Sequence, residues 1–574
     1  MNENEKVEKE EESIFRKLSK ERKQLISDGL CPEWMTTAGL QILVRNYSPD
    51  DKNPKDVYER IAHQAAKHMN GYAYEWEEKF FKMMWKGWLS PSTPVLSNMG
   101  AGRNCPVSCS GGTIGDSIWG FYESQKEAAL LSKNGFGTSN YLGDIRPRGS
   151  DISSGGKSSG ALPVFKDFVQ VSRDVSQGST RRGAWAGYIE IDHDDFWELS
   201  TYIHANPDDA NIGWIITNNF IDQLKSGNED AIARYQRALK LKMVTGKGYF
   251  FFIDKVNELS PYMYKELNLK VKASNLCTEI GLMSDDDHTF SCVLSSLNYA
   301  KYHEWKDTEN IFNALVFLDC VASDFIEIGK NIRGLEKVVR FTKKSRALGL
   351  GAMGFHTHLQ HQMMPFESLE AQYENTRIFK EMEDETERAS RWLAYKFGEP
   401  EWCEGFGLRN THRIAIAPNL SSAVVCGGVS QGIEPVYKNA YIQASAAGEL
   451  ERVNPVLLAL MKEKKVYTPE TINDIINNAG SVQHVEWLSD EEKLVFKTAF
   501  EIDQHVIIRL ASQRQQYIDQ AQSINLFFSA DAEESYISSV HQQAFEDPYI
   551  KSLYYIRSEA GVSGSTGECI SCAG

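Results

Sequence analysis

The stretch GYFFFI (248–253) is a short apolar run of β-prone residues. Further stretches of this kind are GYIEI (187–191), NIGWIIT (211–217) and TFSCVLSS (289–296). Longer segments with apolar residues at helical intervals occur on both sides of them, notably 116–133 and 367–397. Short buried strands that alternate with amphipathic helices are typical of an α/β domain. The stretch therefore predicts a strand of a buried sheet, and its surroundings predict the α/β class.

The two ends of the chain differ from this pattern. Residues 1 to about 30 are strongly charged, and 55–87 carry apolar and aromatic residues at helical intervals. We expect a helical N-terminal region over 1–90 and an α/β domain over 91–556. Residues 557–574 are mostly small and polar, which predicts a flexible C-terminal tail.

Composition excludes several classes of protein. The formal net charge of −16 over 574 residues disfavours nucleic-acid binding, which needs a positive face. No run of 18 apolar residues occurs, so we expect no transmembrane helix. The N-terminus is charged and lacks the apolar segment of a secretory signal, which predicts a cytoplasmic location.

Ten cysteines in a chain of this kind suggest redox or metal chemistry rather than structural disulfides. Cys569 and Cys572 form a C-x-x-C pair in the tail. Zinc is one interpretation, but no second half-site has matching spacing and no His pair completes Cys105 and Cys109, so we expect no metal site. Thiol–disulfide exchange is the other interpretation. A flexible tail of this length reaches roughly 20 Å, which is enough to move the cysteine pair from the surface into a cleft.

The stretch SNLCTEI (274–280) carries an amide, a thiol and a carboxylate at every second position. In an extended backbone Asn275, Cys277 and Glu279 would point the same way and share one small volume. An ordinary loop with a buried cysteine is the alternative, because free cysteine is among the most buried residues.

Five motifs in order extend this pattern: SNLCTEI, SCVLSSLN (291–298), PNLSSAVVCGGVSQGIEP (418–435), SLYYIRS (552–558) and the terminal cysteine pair. From about Pro91 to Gly574 the chain resembles the catalytic α subunit of class I ribonucleotide reductase. The resemblance implies a ten-stranded α/β barrel of two five-stranded halves, with Cys277 on a finger loop inside it. It also implies radical-based reduction of ribonucleoside diphosphates to 2′-deoxyribonucleoside diphosphates, by a thioredoxin- or glutaredoxin-dependent oxidoreductase.

The resemblance assigns roles to the catalytic residues. Cys277 matches the thiyl radical that takes the ribose 3′-hydrogen, Glu279 the base for the 3′-hydroxyl proton, and Asn275 the amide that orients the sugar. These roles suit the residue types, because abstraction at C3′ is eased when the adjacent hydroxyl loses its proton. Cys292 and Cys109 match the thiols that supply electrons and end as a disulfide. Cys109 is preferred over Cys105 because Ser108-Cys109 follows Thr93-Pro94 at the family spacing.

Two further residue pairs are expected to link the catalytic residues to partner proteins. Tyr554 and Tyr555 match a stacked tyrosine pair that carries a hole from a separate radical-generating β subunit; a plain aromatic patch is the alternative. Cys569 and Cys572 match the tail pair that reduces the Cys109–Cys292 disulfide and is itself reset by thioredoxin or glutaredoxin. The resemblance implies that this chain binds no cofactor directly and depends on the metal or tyrosyl radical cofactor of the small subunit.

Nucleotide sites follow from the same resemblance. The residues matching substrate contacts are Thr93, Ser108, Gly135, Asn419, Leu420, Ser421 and Ser422. Gly135 could equally be a helix C-cap glycine. Asp116, Ser117 and Arg146 match the site at a homodimer interface where ATP or a deoxynucleoside triphosphate selects the base to be reduced, although N-capping alone would explain Asp116.

The N-terminus departs from many relatives. Nothing in residues 1–90 matches the opening of an ATP-cone, so we expect a short form without an overall-activity site. Other interpretations fit less well. A cobalamin-dependent reductase would not need Tyr554-Tyr555, and the tail lacks a glycyl-radical signature. A non-catalytic nucleotide-binding subunit would be expected to have lost Cys277 or Glu279.

Overall fold

The computed structural model of the protein describes residues 16–175, 183–209, 211–445 and 448–558. The predicted tail pair, Cys569 and Cys572, lies outside the described residues. All statements below concern the described ranges.

The N-terminal region is helical, as predicted. Asn53 caps one of its helices by accepting a hydrogen bond from the Asp56 amide, and Pro54 occupies the first helical position, where its missing N–H is no loss. Its helical segments are α1 (16–27), α2 (Thr37–Leu40), the π-helical Gln41–Tyr47, α3 (Pro54–Ala66), the 3₁₀-helical Lys67–Met69 and α4 (Ala73–Trp85).

Strands begin directly after this region. They are β1 (Leu89–Pro91), β2 (Cys109–Thr113), β3 (Gly137–Tyr141), β4 (Trp185–Glu190), β5 (Asn211–Ile216), β6 (Tyr249–Phe252), β7 (Phe290–Cys292), β8 (Leu294–Asn298), β9 (Gly349–Met353), β10 (Ala440–Ser445), β11 (Gly448–Val453), β12 (Leu526–Phe528), β13 (Ser552–Leu553) and β14 (Ile556–Ser558).

Helices alternate with most of these strands, which confirms the α/β class. They are α5 (Thr93–Asn98), α6 (Ile118–Lys133), α7 (Ala161–Asp174), α8 (Phe196–Ala205), α9 (Asn218–Lys225), α10 (Glu229–Thr245), α11 (Ile253–Glu258), α12 (Tyr262–Glu266), α13 (Tyr302–Trp305), α14 (Asn310–Gly329), α15 (Glu336–Ser345), α16 (Phe355–His361), α17 (Leu369–Phe397), α18 (Leu420–Val425), α19 (Pro455–Glu463), α20 (Pro469–Asn477), α21 (Asp490–Val495), α22 (Gln504–Gln515) and α23 (Glu534–Glu546), with 3₁₀ turns at Tyr299–Lys301 and Glu401–Cys403.

Strands β2 to β6 pair in parallel in chain order and form one five-stranded half. At its two edges β2 pairs with β7 and β6 with β13, both antiparallel, so the sheet has seven strands. The segments of the second half pair in parallel as β8–β9 and β12–β14. Single parallel bridges, Leu350–Ile414 and Ile416–Gln522, connect them. The pairings thus follow the order of two opposed halves, but ten regular strands are not resolved, because residues 414, 416 and 522 take part only in isolated bridges.

The strands of the first half are buried on both faces. On β6, Phe250 and Phe252 join the large core shared with the helices, whereas Tyr249 and Phe251 join a second core that contains Cys277 and Cys292. Alternation along a strand therefore divides the stretch GYFFFI between the outer helical layer and an interior enclosed by the curled sheet. The candidate site lies in this interior.

No helix among the described residues is both long and apolar enough to cross a membrane.

A buried ion cluster joins the long helix α14 to the second half of the fold. Asp319 accepts bonds from the Arg346 Nε at 2.8 Å and the Arg409 Nε at 3.0 Å, and Asn410 donates to it at 3.0 Å. Burial alone would raise the pKa of Asp319, but the two guanidinium groups outweigh it and lower the pKa from 3.8 to about 2.

Replacing Asp319→Ala should lower the free energy of unfolding by about 3–5 kcal/mol, because two buried cations lose their counter-charge. The wild-type contribution should be complete above about pH 4 and should disappear as the pH falls toward 2, since the folded pKa lies below the unfolded one. Urea unfolding at pH 7 and pH 3 measures both effects. Asp384→Ala, which removes the exposed Lys380–Asp384 pair, is the control and should cost less than about 1 kcal/mol. Equal effects of the two substitutions would contradict the prediction.

Candidate active site

The loop 274–281 is held inside the sheet by bonds from both halves of the fold. From the first half, Ser139 on β3 donates to the Ser274 carbonyl at 2.8 Å, and the Tyr188 hydroxyl on β4 donates to the Asn275 carbonyl at 2.6 Å. From the second half, the Ser523 hydroxyl donates to the Cys277 carbonyl at 2.5 Å. A loop fixed at so many points can hold its side chains in one geometry.

The glycine at position 213 makes room for one of these contacts. A Cβ on Gly213 would lie 2.1 Å from the Tyr188 ring, which therefore occupies the space over this glycine on the interior face. Tyr188 is fully buried, and burial raises the pKa of its phenol well above the usual value. It is thus a neutral hydrogen-bond donor to the loop.

The prediction that Asn275, Cys277 and Glu279 converge by strand alternation is wrong in its mechanism. Residues 276–278 form a turn, in which the Thr278 amide approaches the Asn275 carbonyl at 3.4 Å and Thr278 has φ of +66°. A β-branched residue rarely adopts this conformation, so the turn is strained and depends on the surrounding contacts. The three residues still meet: Asn275 donates to Glu279 Oε1 at 2.9 Å.

Cys277 itself lies at the tip of this turn. Its side chain is 7% exposed, and the Tyr554 hydroxyl donates to its sulfur at 3.4 Å. Ser523 also lies 3.2 Å from Glu279 Oε2, so one hydroxyl contacts both the backbone of the thiol residue and the carboxylate. Thiol, phenol and carboxylate thus share one enclosed volume.

Two further thiols face each other beside this volume. Cys109 on β2 and Cys292 on β7 are directly opposite in an antiparallel ladder, and Asn275 Nδ2 lies 3.6 Å from the Cys109 sulfur. Burial, a hydrogen bond with Cys109 and nearby negative groups raise the pKa of Cys292 well above its usual value, which keeps it as the thiol. Cys105, the alternative from the sequence, is buried in the large core and not in the core that contains Cys292, and Asn98 donates to its carbonyl.

The predicted tyrosine pair is part of a cluster of three. The ring centroids of Tyr554 and Tyr555 are 4.1 Å apart, and Tyr249 on β6 lies 4.7 Å from Tyr554. The Tyr249 hydroxyl donates to the Tyr555 hydroxyl at 3.0 Å. Tyr554 is fully buried and Tyr555 half-buried, so the cluster runs from the Cys277 sulfur outward.

A buried lysine forms hydrogen bonds with the backbone of the tyrosine cluster. Lys242 on α10 donates to the Tyr554 and Gly248 carbonyls. Its ammonium lies 5.9 Å from the centre of the Tyr249 ring. Burial lowers the pKa of Lys242 to about 7.

The residues predicted to contact substrate lie in two groups. Thr93 begins α5, and Ser108 immediately precedes β2. The Ser108 hydroxyl is buried without a hydrogen-bond partner among the described residues, as is that of Ser92. A buried hydroxyl without a protein partner can bind a polar ligand.

The second group surrounds α18. Asn419 has a left-handed backbone conformation just before this helix, and its side chain donates to the Ala352 and Ala417 carbonyls. Leu420, Ser421 and Ser422 form the first turn, and Leu420 packs against the core that contains Cys277. Gly135 has φ of +100° just past the end of α6, which fits a helix C-cap glycine, and its contact with substrate stays a prediction.

The predicted effector residues meet at the start of α6, with one correction. Ser117, not Asp116, is the N-cap, since its hydroxyl accepts from the Gly120 amide at 3.0 Å. Asp116 instead accepts from Arg146 Nε at 2.6 Å. The side chains of Ile118, Trp119 and Tyr122, on the first turns of the same helix, are 71%, 79% and 61% exposed. These three side chains form an exposed apolar patch beside the predicted effector residues.

Several residues of this site were not singled out from sequence. Tyr188 and Tyr249 lie in predicted strands, and their inward register was the available signal. Ser523, Lys242 and Ser139 give no local signal, because each acts through a contact between distant segments. Among the described residues, no group of three or more His, Cys, Asp or Glu could hold a metal ion.

Comparison with known proteins agrees with this geometry. A family model described as ribonucleotide reductase, barrel domain, matches residues 107–234, 230–406 and 399–556, and one described as ribonucleotide reductase, all-alpha domain, matches 34–104. The fold and the thiol site together define a ribonucleotide reductase. The chain belongs to the family of ribonucleotide reductase large subunits.

Individual relatives cover most of the chain. It is 34% identical to the putative ribonucleoside-diphosphate reductase large subunit of Frog virus 3, over 89% of this chain and 94% of that protein. It is 30% identical to the large subunit of Invertebrate iridescent virus 3, over 91% and 93%. The solved structure of the Actinobacillus ureae class Id ribonucleotide reductase alpha subunit matches with a TM-score of 0.84 and 39% identity, over 93% of this chain and 99% of that one.

Mild oxidation of the free protein should link Cys109 to Cys292, because the two residues are direct cross-strand partners at a separation that a disulfide can span. Peptide mapping by mass spectrometry under non-reducing conditions would detect the linked peptides. Cys105→Ser should leave the link intact, whereas Cys109→Ser should abolish it. A dominant Cys105–Cys292 link would contradict this geometry.

Proposed function

We propose that the chain is the catalytic subunit that reduces ribonucleoside diphosphates to 2′-deoxyribonucleoside diphosphates through a thiyl radical at Cys277. The observation that carries the proposal is the 3.4 Å contact between the Tyr554 hydroxyl and the Cys277 sulfur, beside the facing thiols of Cys109 and Cys292. A hydrogen-bonded phenol and thiol can exchange one electron and one proton over this distance.

The chemistry balances with the residues present. Cys277 gives one electron and one proton to oxidised Tyr554, and the thiyl then takes the hydrogen atom from C3′. Glu279 accepts the 3′-hydroxyl proton, which eases the loss of the 2′-hydroxyl as water, and Asn275 orients the sugar. Cys109 and Cys292 supply two electrons and two protons and become a disulfide, and Cys277 returns the hydrogen to C3′. Ribonucleotide and two thiols thus give deoxyribonucleotide, water and a disulfide.

The hole reaches Tyr554 through Tyr555 from a separate radical-generating small subunit. The metal or tyrosyl cofactor of that subunit supplies the oxidising equivalent, and this chain binds no cofactor of its own. The support is the order of burial in the cluster, from half-buried Tyr555 to fully buried Tyr554 to Cys277.

Substrate and effector contacts complete the proposal. The diphosphate is bound by Thr93, Ser108, Gly135 and the 419–422 segment, and the Ser108 hydroxyl, which has no hydrogen-bond partner within the described ranges, supports this assignment. Asp116, Ser117 and Arg146 bind ATP or a deoxynucleoside triphosphate, which selects the substrate base. The exposed Ile118, Trp119 and Tyr122 support a homodimer that covers this site.

The remaining parts concern organisation. We assign 1–90 to a helical region, 91–556 to the catalytic barrel and 557–574 to a redox tail whose Cys569 and Cys572 reset the Cys109–Cys292 disulfide. Thioredoxin or glutaredoxin then reduces the tail pair. The cytoplasm is the assigned location, because its dithiol proteins can regenerate such thiols.

Activity assays test the radical route directly. With the cognate small subunit, Cys277→Ser and Tyr554→Phe should each lower diphosphate reduction by about a thousand-fold or more, since neither Ser nor Phe can pass on the hole, while nucleotide binding stays unchanged. Cys105→Ser is the matched control and should keep wild-type turnover. Turnover by Cys277→Ser would refute the proposal.

The tail has its own test. Cys569→Ser should allow about one turnover per chain with a thioredoxin-type donor, because the Cys109–Cys292 disulfide then stays closed to the protein reductant. A small dithiol that can enter the site should restore sustained turnover. Equal rates of variant and wild type with the protein donor would exclude the shuttle role.

A further inference from the structure

One helix, α6, contacts both strands that carry the reducing thiols. The Ser124 hydroxyl of α6 donates to the Thr113 carbonyl at 3.1 Å, and Thr113 is the last residue of β2. One turn further along the helix, Glu127 Oε1 accepts from the Thr289 hydroxyl at 2.8 Å. Thr289 directly precedes β7. Because residues three apart lie on the same side of a helix, one face of α6 bonds to both strands.

These contacts are buried and closely packed. The Ser124 and Thr289 side chains are buried, and that of Glu127 is 14% exposed. A Cβ on Gly112 of β2 would lie 3.3 Å from the Thr289 hydroxyl oxygen, so this glycine leaves room for the hydroxyl beside the strand. Burial raises the pKa of Glu127, and Lys337 and the Thr289 hydroxyl partly offset this effect. Breaking the contact would leave buried polar groups without partners, which is costly.

The predicted effector residues lie at the N-terminal end of the same helix, where Ser117 is the N-cap. Ser124 lies about 10 Å further along the helix axis. A Cβ on Gly120 would overlap the Gly115 carbonyl, so the first turn of α6 packs directly against the backbone that follows β2. The effector residues and the two thiol strands are thus attached to one rigid element.

Disulfide formation constrains the two strands relative to each other. Cys109 and Cys292 are direct cross-strand partners, and both are free thiols in this structure. A disulfide holds its two Cβ atoms about 3.8 Å apart and restricts the torsion about the S–S bond, whereas two thiols have no such constraint. The anchors at Thr113 and Thr289 move with their strands, but the helix keeps the spacing of its own two contact residues.

We propose that α6 positions the two reducing thiols through Ser124 and Glu127, and that it thereby couples the effector site to their redox state. This inference rests on the proposed function. Each turnover oxidises the pair: two thiols give two electrons and two protons to the ribonucleotide, which becomes deoxyribonucleotide and water, and an S–S bond forms. The strands then shift against α6, and the effector binds more weakly until dithiol exchange with the tail pair restores the thiols.

The coupling acts in both directions. If oxidation lowers the affinity for the effector by some factor, bound effector must favour the dithiol over the disulfide by the same factor. The effector would therefore hold the reducing pair in the form that the next turnover needs.

Effector titration of the two redox forms tests the proposal. The full chain is equilibrated with reduced glutathione, or with oxidised glutathione, which takes up two electrons and two protons as two thiols close to a disulfide. Calorimetry then measures the binding of dTTP and of dATP. Wild type should bind the tighter of the two nucleotides about fivefold or more weakly when oxidised. Cys109→Ser cannot form the link, so oxidation should leave its affinity unchanged.

Substitutions at the two contacts separate positioning from general stability. Thr289→Val, which removes the hydroxyl and keeps the shape, should reduce the redox difference in affinity to within about twofold. Ser124→Ala should do the same from the side of β2. Thr289→Ser keeps the hydroxyl, is the matched control, and should retain the full difference. Thermal unfolding shows first that each variant is folded.

Reciprocity is measured in glutathione buffers of graded ratio. Saturating nucleotide should shift the wild-type Cys109–Cys292 equilibrium toward the dithiol by the factor found in the titrations, with the linked peptides quantified by mass spectrometry. A wild-type affinity that does not fall on oxidation would overturn the proposal, as would folded Thr289→Val with the full redox difference. If neither nucleotide binds to either form, the effector assignment and the coupling both fail. Redox-dependent binding without any diphosphate reduction would refute the proposed function alone.

Discussion

One strained turn carries the chemistry of this protein. Cys277 lies at its tip, next to Thr278 with a positive φ, and nothing local in the sequence would keep such a conformation. It persists because Tyr188 from the first half and Ser523 from the second bond its backbone. Both halves of the fold therefore hold the turn that carries the Cys277 sulfur. The 3.4 Å contact between this sulfur and the Tyr554 hydroxyl depends on bonds from both halves.

The same enclosure explains why the Cys292 thiol and the Tyr188 phenol keep their protons. Burial raises the pKa of both Cys292 and Tyr188 well above the usual values, so neutral forms persist at physiological pH. Neutral thiols and phenols suit chemistry in which an electron and a proton leave together. The lowered pKa of Lys242, about 7, has the same cause, and this residue supports the tyrosine cluster through backbone bonds. Exclusion of water thus shifts the pKa of each of these three residues toward its neutral form.

The sequence alone predicted those site residues that occur together in a distinctive set of motifs. Cys277, Glu279 and the Tyr554-Tyr555 pair were found because a motif order repeated that of a known family, and the buried strands followed from runs such as GYFFFI. It misjudged local geometry: Asn275, Cys277 and Glu279 meet through a turn rather than a strand, and Ser117 rather than Asp116 caps α6. Tyr249 and Ser523 were missed, since their roles arise only when segments 306 and 246 residues apart in sequence come into contact.

The most direct measurement is an experimental structure of the chain with a bound nucleoside diphosphate. The account predicts that the ribose C3′ lies within about 3.5 Å of the Cys277 sulfur, a near-attack distance. Glu279 should contact the 3′-hydroxyl, and Cys109 and Cys292 should face C2′. A diphosphate bound with its ribose outside the sheet interior, or a loop 274–281 that leaves no room for a sugar beside Cys277, would contradict the account.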